Sequence, residues 1–299
     1  MASCFDFVSL GLEGEEVMKR IDGLCYAIVV LTLISALVGI FYSTGGSQFT
    51  VENIYGDTIE LFGDGIYKHN SVLKASGNKG TDLVMLIVAL VFAFLTRKRH
   101  EGARYGLIHA GLLTGLLYYS SSLVFGITFN SLFLVYTLQF SLALFAMIFV
   151  LAELFSKDRS RVLADKSMKG TAIFLIVSGS SVLVWLEFII PSLLSGQPLA
   201  NIEIYTTEPT FVLDLAIIFP LYLGCGIALL KRKPVGYKLA PILLTFITII
   251  GLTVIGQNAF QSAMGVSIPI RQLFGLVISF IVLGFIATLL NVRLLKYVE

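Results

Sequence analysis

"FVLDLAIIFPLYLGCGIALLKRKPVGYKL", Phe211 to Leu239, is an apolar run closed by Lys231, Arg232, Lys233 and Lys238. From Phe211 to Leu230 it carries a single charge, Asp214. A helix rises 1.5 Å per residue, so about 20 apolar residues cross a hydrocarbon core of about 30 Å. The run therefore reads as a membrane span with a basic cluster at one end. The aspartate near its start poses the functional question: what holds a carboxylate in a segment built for lipid?

Apolar runs of this kind recur along the chain, at 23–42, 82–96, 105–126, 131–154, 170–194, 211–230, 239–258 and 269–292. The 299 residues are 57% hydrophobic and only 13% charged, with a mean hydropathy of +0.90. A soluble domain has about 25% charged residues, so the apolar excess has to face lipid. The fold class expected is all-α, a polytopic helical membrane protein with about eight transmembrane helices. The second run is short and is expected to begin a few residues earlier. The tight "GITFN" turn, Gly126 to Asn130, joins the third and fourth runs as a helical hairpin.

Charge orients the chain. With the N-terminus in the cytoplasm, every basic residue except Lys68, Lys74, Lys79 and Arg271 falls on the inner side, as the positive-inside rule requires. Both termini are then cytoplasmic, in the cell membrane. The division expected is a cytoplasmic segment 1–22, a first four-helix half 23–154 with an outer loop 43–81, a cytoplasmic linker 155–169 and a second half 170–299. Glu13, Glu15 and Glu16 are unlike the basic start of a signal peptide, so the first span is read as retained. Cys4, Cys25 and Cys225 lie inside or within the membrane, where no disulfide is expected. The outer loop, a mixture of aromatic, acidic and glycine residues, is expected to pack as a small lid.

"TDLVMLIVALVFAFLTRKRHEGARYGL" (Thr81–Leu107) aligns without a gap on "LDLAIIFPLYLGCGIALLKRKPVGYKL" (Leu213–Leu239). Asp82 matches Asp214, Tyr105 matches Tyr237, and a basic cluster ends each copy. This suggests two tandem four-helix repeats, related by an axis along the membrane normal as in some transporters.

Two readings of the aspartates are open. In one, Asp82 and Asp214 cap the outer ends of their helices, where a carboxylate accepts orphan N–H bonds and complements the helix dipole. In the other, Asp214 lies in an outward-facing pocket with Arg271 as its cation and Glu187 as a second acid. Ionisable groups within a span are costly and pair or line wet cavities. Tyr118, Tyr119, Gln139, Gln257, Asn258 and Gln261 also fall in the outer half. The inner half reads as poorer, with His109, Glu153 and Asn291 as its main polar residues. Pro220 interrupts the hydrogen bonding of its span.

Chemistry can also be excluded by its required residues. The chain has no G-x-x-x-x-G-K-[S/T] phosphate loop and no H-E-x-x-H zinc motif. His69, His100 and His109 fall in different compartments, so no metal site and no cofactor is expected. Short basic clusters between apolar runs give no nucleic-acid surface. The expected partners are the lipid bilayer and a small solute; a protein partner or a second copy stays open.

The stretches "GTDLVMLIVAL", "FNSLFLVYTLQFSLALF" and "TTEPTFVLDLAIIFPLYL…KRKPVGYKLAP" resemble a group of uncharacterised bacterial multi-pass membrane proteins, over about residues 60–250. The resemblance implies eight spans and no particular chemistry. The leading functional expectation is a transporter or permease with a small-solute pocket between its halves. The alternatives are a non-catalytic sensor or partner subunit, and then a membrane enzyme acting on a lipid or small solute.

Overall fold

The computed structural model describes residues 14–156, 167–199, 202–267, 269–270 and 273–298. Eight helices are long and apolar enough to cross a membrane: Glu16–Phe41, Val72–Lys98, Ala103–Gly126, Phe133–Phe155, Lys169–Ser195, Pro209–Leu230, Pro234–Ala263 and Leu273–Leu295. They are spans one to eight below. The chain is a multi-pass helical membrane protein.

Span two differs most from its sequence boundary. It begins at Val72, where the Ser71 hydroxyl caps the helix by accepting the Lys74 N–H. Residues 72–81, expected in the outer loop, are helical. Their hydropathy is low because they face protein: Ala75, Ser76, Gly77, Lys79 and Gly80 are all buried. Hydropathy marks helices that touch lipid and passes over a polar turn that touches other helices.

The loop that remains carries a two-stranded antiparallel hairpin, β1 (Phe49–Glu52) on β2 (Thr58–Leu61), in the register Phe49↔Leu61 to Glu52↔Thr58. Asn53 accepts the backbone N–H groups of Tyr55 and Asp57 in the turn, and Gly56 supplies the positive φ. Asp64 ties the hairpin base to the end of span one by accepting from the Thr44 N–H and the Ser43 and Thr44 hydroxyls. A short 3-10 turn, Gly65–Tyr67, then drives Tyr67 into the bundle.

Span one packs on spans two and four, and span three on spans two and four. Span five packs on span six, and span seven touches two, three, six and eight and, more lightly, five. The pairs one–two, two–three and three–four thus recur as five–six, six–seven and seven–eight. The pair one–four has no such counterpart between five and eight among the described residues.

Small residues set the closest crossings. Gly80 meets Gly256 where spans two and seven cross, and Gly251 meets Gly284 where seven and eight cross. Gly111 and Gly115 of span three receive Thr245 and Ile249 of span seven. Lipid offers no hydrophobic drive for helices to associate, so close backbone approach of this kind supplies the packing energy. Ile242 and Ile249 of span seven belong to the core formed by spans one to four, while Leu243, Leu244 and Phe246 face the core shared with five, six and eight.

Three spans depart from regular α-helix among the described residues; span eight does so at its start, where Leu273–Ile278 is a π-turn. Span five passes from α-helix (Lys169–Ser181) through a 3-10 turn (Val182–Trp185) into a second α-helix (Leu186–Ser195). Span six contains a π-turn, Asp214–Ile218, in which the Phe219 N–H reaches back to the Asp214 carbonyl. Pro220 follows at once; it has no N–H to give and its ring crowds the carbonyl four residues back, so the preceding turn widens.

Candidate functional site

Tyr118 and Tyr119 are neighbours on span three, and a helix turns about 100° per residue, so their rings leave in different directions. Tyr119 donates to Asp82 Oδ1 at 2.6 Å, and Tyr67 donates to Asp82 Oδ2 at 2.8 Å. Tyr118 donates to Asp214 Oδ1 at 3.0 Å, and Trp185 Nε1 donates to Asp214 Oδ2 at 2.8 Å. Each carboxylate therefore has one aromatic donor on each oxygen, with span three serving both. Asp82 is 0% exposed and Asp214 7%.

Neither aspartate is a helix cap. Ser71 caps span two, and Glu208 caps span six by accepting the Thr210 N–H. Asp82 lies deep in the helix, and the Asp214 side chain is spent on Tyr118 and Trp185. The capping expectation fails because both helices begin earlier than their apolar runs. Arg271, the expected cation, lies outside the described residues. No described lysine or arginine forms an ion pair with Asp214.

The two carboxylates differ in their surroundings. Lys79 sits one turn before Asp82 and donates to the carbonyls of Gly39 (2.8 Å) and Ile40 (3.0 Å), at the end of span one. A cation there complements the negative end of that helix. Gly39 also admits the carboxylate: a Cβ on it would collide with Asp82 Oδ2. Asp82 thus belongs to unbroken helices with a lysine nearby. Asp214 instead opens the π-turn of span six, and Trp185 ends the 3-10 turn of span five, so their hydrogen bond joins the two interruptions directly. Trp185 stacks on Phe211 at 4.7 Å, and Tyr118 leans on Phe246 of span seven at 5.4 Å.

The other expected residues are dispersed. Gln139 accepts from Ser35 (2.9 Å) and donates to Thr32 (3.1 Å), tying span four to span one. Gln257 donates to Thr81 at 2.8 Å across the Gly80–Gly256 crossing. Asn258 is half-buried on span seven, and Glu187 lies on an exposed face of span five. A crevice of about 90 Å³ opens at the turn between spans three and four, lined by Leu123, Ile127, Phe129, Phe133 and Tyr136 among others, and it contains none of the expected site residues. Among the described residues, no three His, Cys, Asp or Glu side chains are placed to hold a metal.

At the end of the bundle that carries the hairpin, residues 202–208 are strapped across the first half. Glu203 accepts from the Ser71 hydroxyl, and its carbonyl accepts from Asn53 Nδ2. Tyr205 donates to Asn70 at 3.1 Å, and Lys74 pairs with Glu208 at 2.8 Å while lying 4.4 Å from the Tyr205 ring. Burial moves the Glu203 carboxyl above its ordinary range, opposed by the Ser71 hydroxyl and Lys74. The Thr44 N–H, with further hydrogen bonds, holds Asp64 well below the usual carboxylate range.

The opposite end, where spans one and eight carry the termini, holds what the sequence reading missed. Arg99 donates to Asp22 and Glu153, both at 2.6 Å, and Asp22 also meets His100 at 2.9 Å. That half of the bundle is not poor in polar groups. Asp22 escaped notice because it reads as the edge of the first apolar run, and Tyr67 because it lies in a loop. Trp185 had one usable signal, as the sole tryptophan of the chain.

Comparison with known proteins gives no match to a family model, to a curated protein or to a solved structure.

Proposed function

We propose that the protein is a transporter of a small solute, with its site where spans three, five and six meet at Asp214. One observation carries this reading: a buried carboxylate sits at the junction of two helices that both lose regular geometry there, through the Trp185–Asp214 hydrogen bond. Non-helical backbone at membrane depth is tolerated only where protein buries it or a cavity needs it, and transporters place solute sites at discontinuous helices. Single π-turns likewise concentrate at functional positions. Spans one to four and seven share a core and are unbroken α-helices, and serve as the frame. Spans five and six pack mainly on each other and carry the interruptions that meet at Asp214, and serve as the moving part.

In this reading the basic ends face the cytoplasm and the hairpin faces outward. The Lys74–Glu208 and Ser71–Glu203 contacts then close the site from outside, and opening it requires the strap 202–208 to part from span two.

The test is accessibility. In a background with Cys4, Cys25 and Cys225 replaced by serine, Ile218→Cys places a thiol one turn beyond Asp214 and against the second core. With membrane-impermeant thiol reagents applied to each face of oriented vesicles, a transporter labels from both sides, each more slowly when the other is favoured. Labelling from neither face refutes the proposal. Labelling from one face only favours the second reading, a sensor whose Asp214 site opens to a single compartment.

A further inference from the structure

Resting on that reading of the Asp214 site, we propose that Asp214 is a proton-binding carboxyl and that solute movement is coupled to protons through it. The argument is one of charge. Both carboxylate oxygens accept hydrogen bonds, but from the neutral donors Tyr118 and Trp185. Among the described residues, the groups facing it bring no positive charge. Span three offers Tyr118, span five Trp185, and span seven the Phe246 ring beyond Tyr118. Tyr222 lies two turns further along span six and donates to the Leu243 carbonyl. Toward the strap stands another acid, Glu208, whose own charge is met by Lys74. Asp82 provides the contrast: it is as well buried and as well hydrogen-bonded, yet Lys79 stands one turn away.

An ionised carboxylate in hydrocarbon needs a compensating positive charge, and intramembrane acids that lack a fixed partner mark proton and ion pathways. A proton supplies that charge without requiring volume, which suits an Asp214 whose two oxygens are already in contact with aromatic donors. The step balances simply. A hydronium ion from the open face passes its proton to one carboxylate oxygen, an O–H bond forms, a water molecule leaves, and the site goes from one negative charge to none. The protonated oxygen is a weaker acceptor, so its bond from Trp185 or Tyr118 loosens. Because the Trp185 bond ties span five to span six at both interruptions, loss of the charge changes how those two spans hold together.

The molecule contains its own reporter, since Trp185 is the only tryptophan. Tryptophan emission of the full chain in lipid vesicles is recorded between about pH 4 and 9, a window wide enough to bracket a shifted carboxyl. The wild type is expected to show one titration, Asp82→Asn to retain it, and Asp214→Asn to lose it. Infrared difference spectra over the same range should show a carboxylic-acid C=O band that disappears in Asp214→Asn. Asp214→Glu, which keeps a carboxyl should the asparagine variant not fold, should move both the band and the midpoint. A flat wild-type titration, or an unchanged one in Asp214→Asn, overturns the inference. A flat titration with two-sided labelling of Ile218→Cys leaves a transporter without this coupling. A titrating Trp185 with one-sided labelling keeps the proton site and overturns transport.

Discussion

Replacing Gly80 by alanine tests the crossing that fastens span seven to the first half. A Cβ on Gly80 would lie 2.2 Å from the Gly256 carbonyl oxygen and 2.5 Å from the Gln257 nitrogen, and a Cβ on Gly256 would lie 2.5 Å from the Gly80 oxygen. The closest of these contacts are all to backbone, which cannot swing aside as a side chain can; only Val84 Cγ2, 3.0 Å from a Cβ on Gly256, belongs to a side chain. Ordinary contact begins near 3.4 Å, and the two helices must part by about 1 Å. The Gln257–Thr81 bond, 2.8 Å long, spans the same crossing and is stretched past hydrogen-bonding distance. Overpacking costs about 1–3 kcal/mol and the lost hydrogen bond about 1 kcal/mol, while alanine in a helix recovers up to about 1 kcal/mol. The net is about 1–3 kcal/mol, or roughly 2–10 °C in Tm. Thermal unfolding in detergent, followed by emission of Trp185, measures it. Gly224→Ala, where an added Cβ meets nothing within 4 Å, is the control and should melt at or above the wild type. The double variant Gly80→Ala/Gly256→Ala should cost less than the two singles together, because the first separation makes room for the second methyl. If Gly80→Ala and Gly256→Ala melt like Gly224→Ala, the crossing is not held by backbone contact and the account of span seven is wrong.

Arg99→Ala takes from Asp22 and Glu153 the guanidinium that both accept from, in a site where the arginine side chain is only 3% exposed; about 3–5 kcal/mol should be lost, read by chemical denaturation of the reconstituted protein. Tyr119→Phe strips Asp82 Oδ1 of its donor and should cost about 1–3 kcal/mol, and its effect should be strongly non-additive with Tyr67→Phe, since both donors serve one carboxylate. Glu203 has its carboxyl raised by burial, so the folded state holds its proton more tightly than the unfolded chain. Its contribution therefore turns unfavourable as pH rises above about 4.3 and on through the folded value. The Tm difference between Glu203→Gln and wild type, followed against pH, should accordingly grow in favour of the glutamine, and a difference independent of pH would refute this.

Architecture was legible because lipid imposes a length and a composition on anything that crosses it. All eight spans were marked by apolar runs, and the end that moved furthest, the start of span two, moved where the helix faces protein. Val72–Thr81 is the clearest case: a polar, glycine-bearing stretch that looks like loop is helix because Gly77 and Gly80 face span seven. The site was legible in part. Asp214, Asp82, Tyr118 and Tyr119 stood out as polar groups in apolar runs, but which tyrosine serves which aspartate depends on helix rotation, which one sequence does not encode visibly. Trp185 and Tyr67 could not be assigned for the opposite reason. Aromatic residues are ordinary in a membrane chain, and only the approach of span five to span six, and of the turn Gly65–Tyr67 to span two, gives these two a role.

The position of span seven bears on how the protein is made. Spans one to four leave the ribosome first, yet the faces of span two at Gly80 and of span three at Gly111 and Gly115 are shaped for Gly256, Thr245 and Ile249, which are synthesised more than a hundred residues later. Until that helix arrives, these grooves are open to lipid, and Thr81 waits for Gln257. Early spans can insert and pair, but their core, which includes Ile242 and Ile249, closes only near the end of translation. A ribosome halted after span six therefore leaves a bundle with its central wedge missing and the glycine faces of spans two and three uncovered.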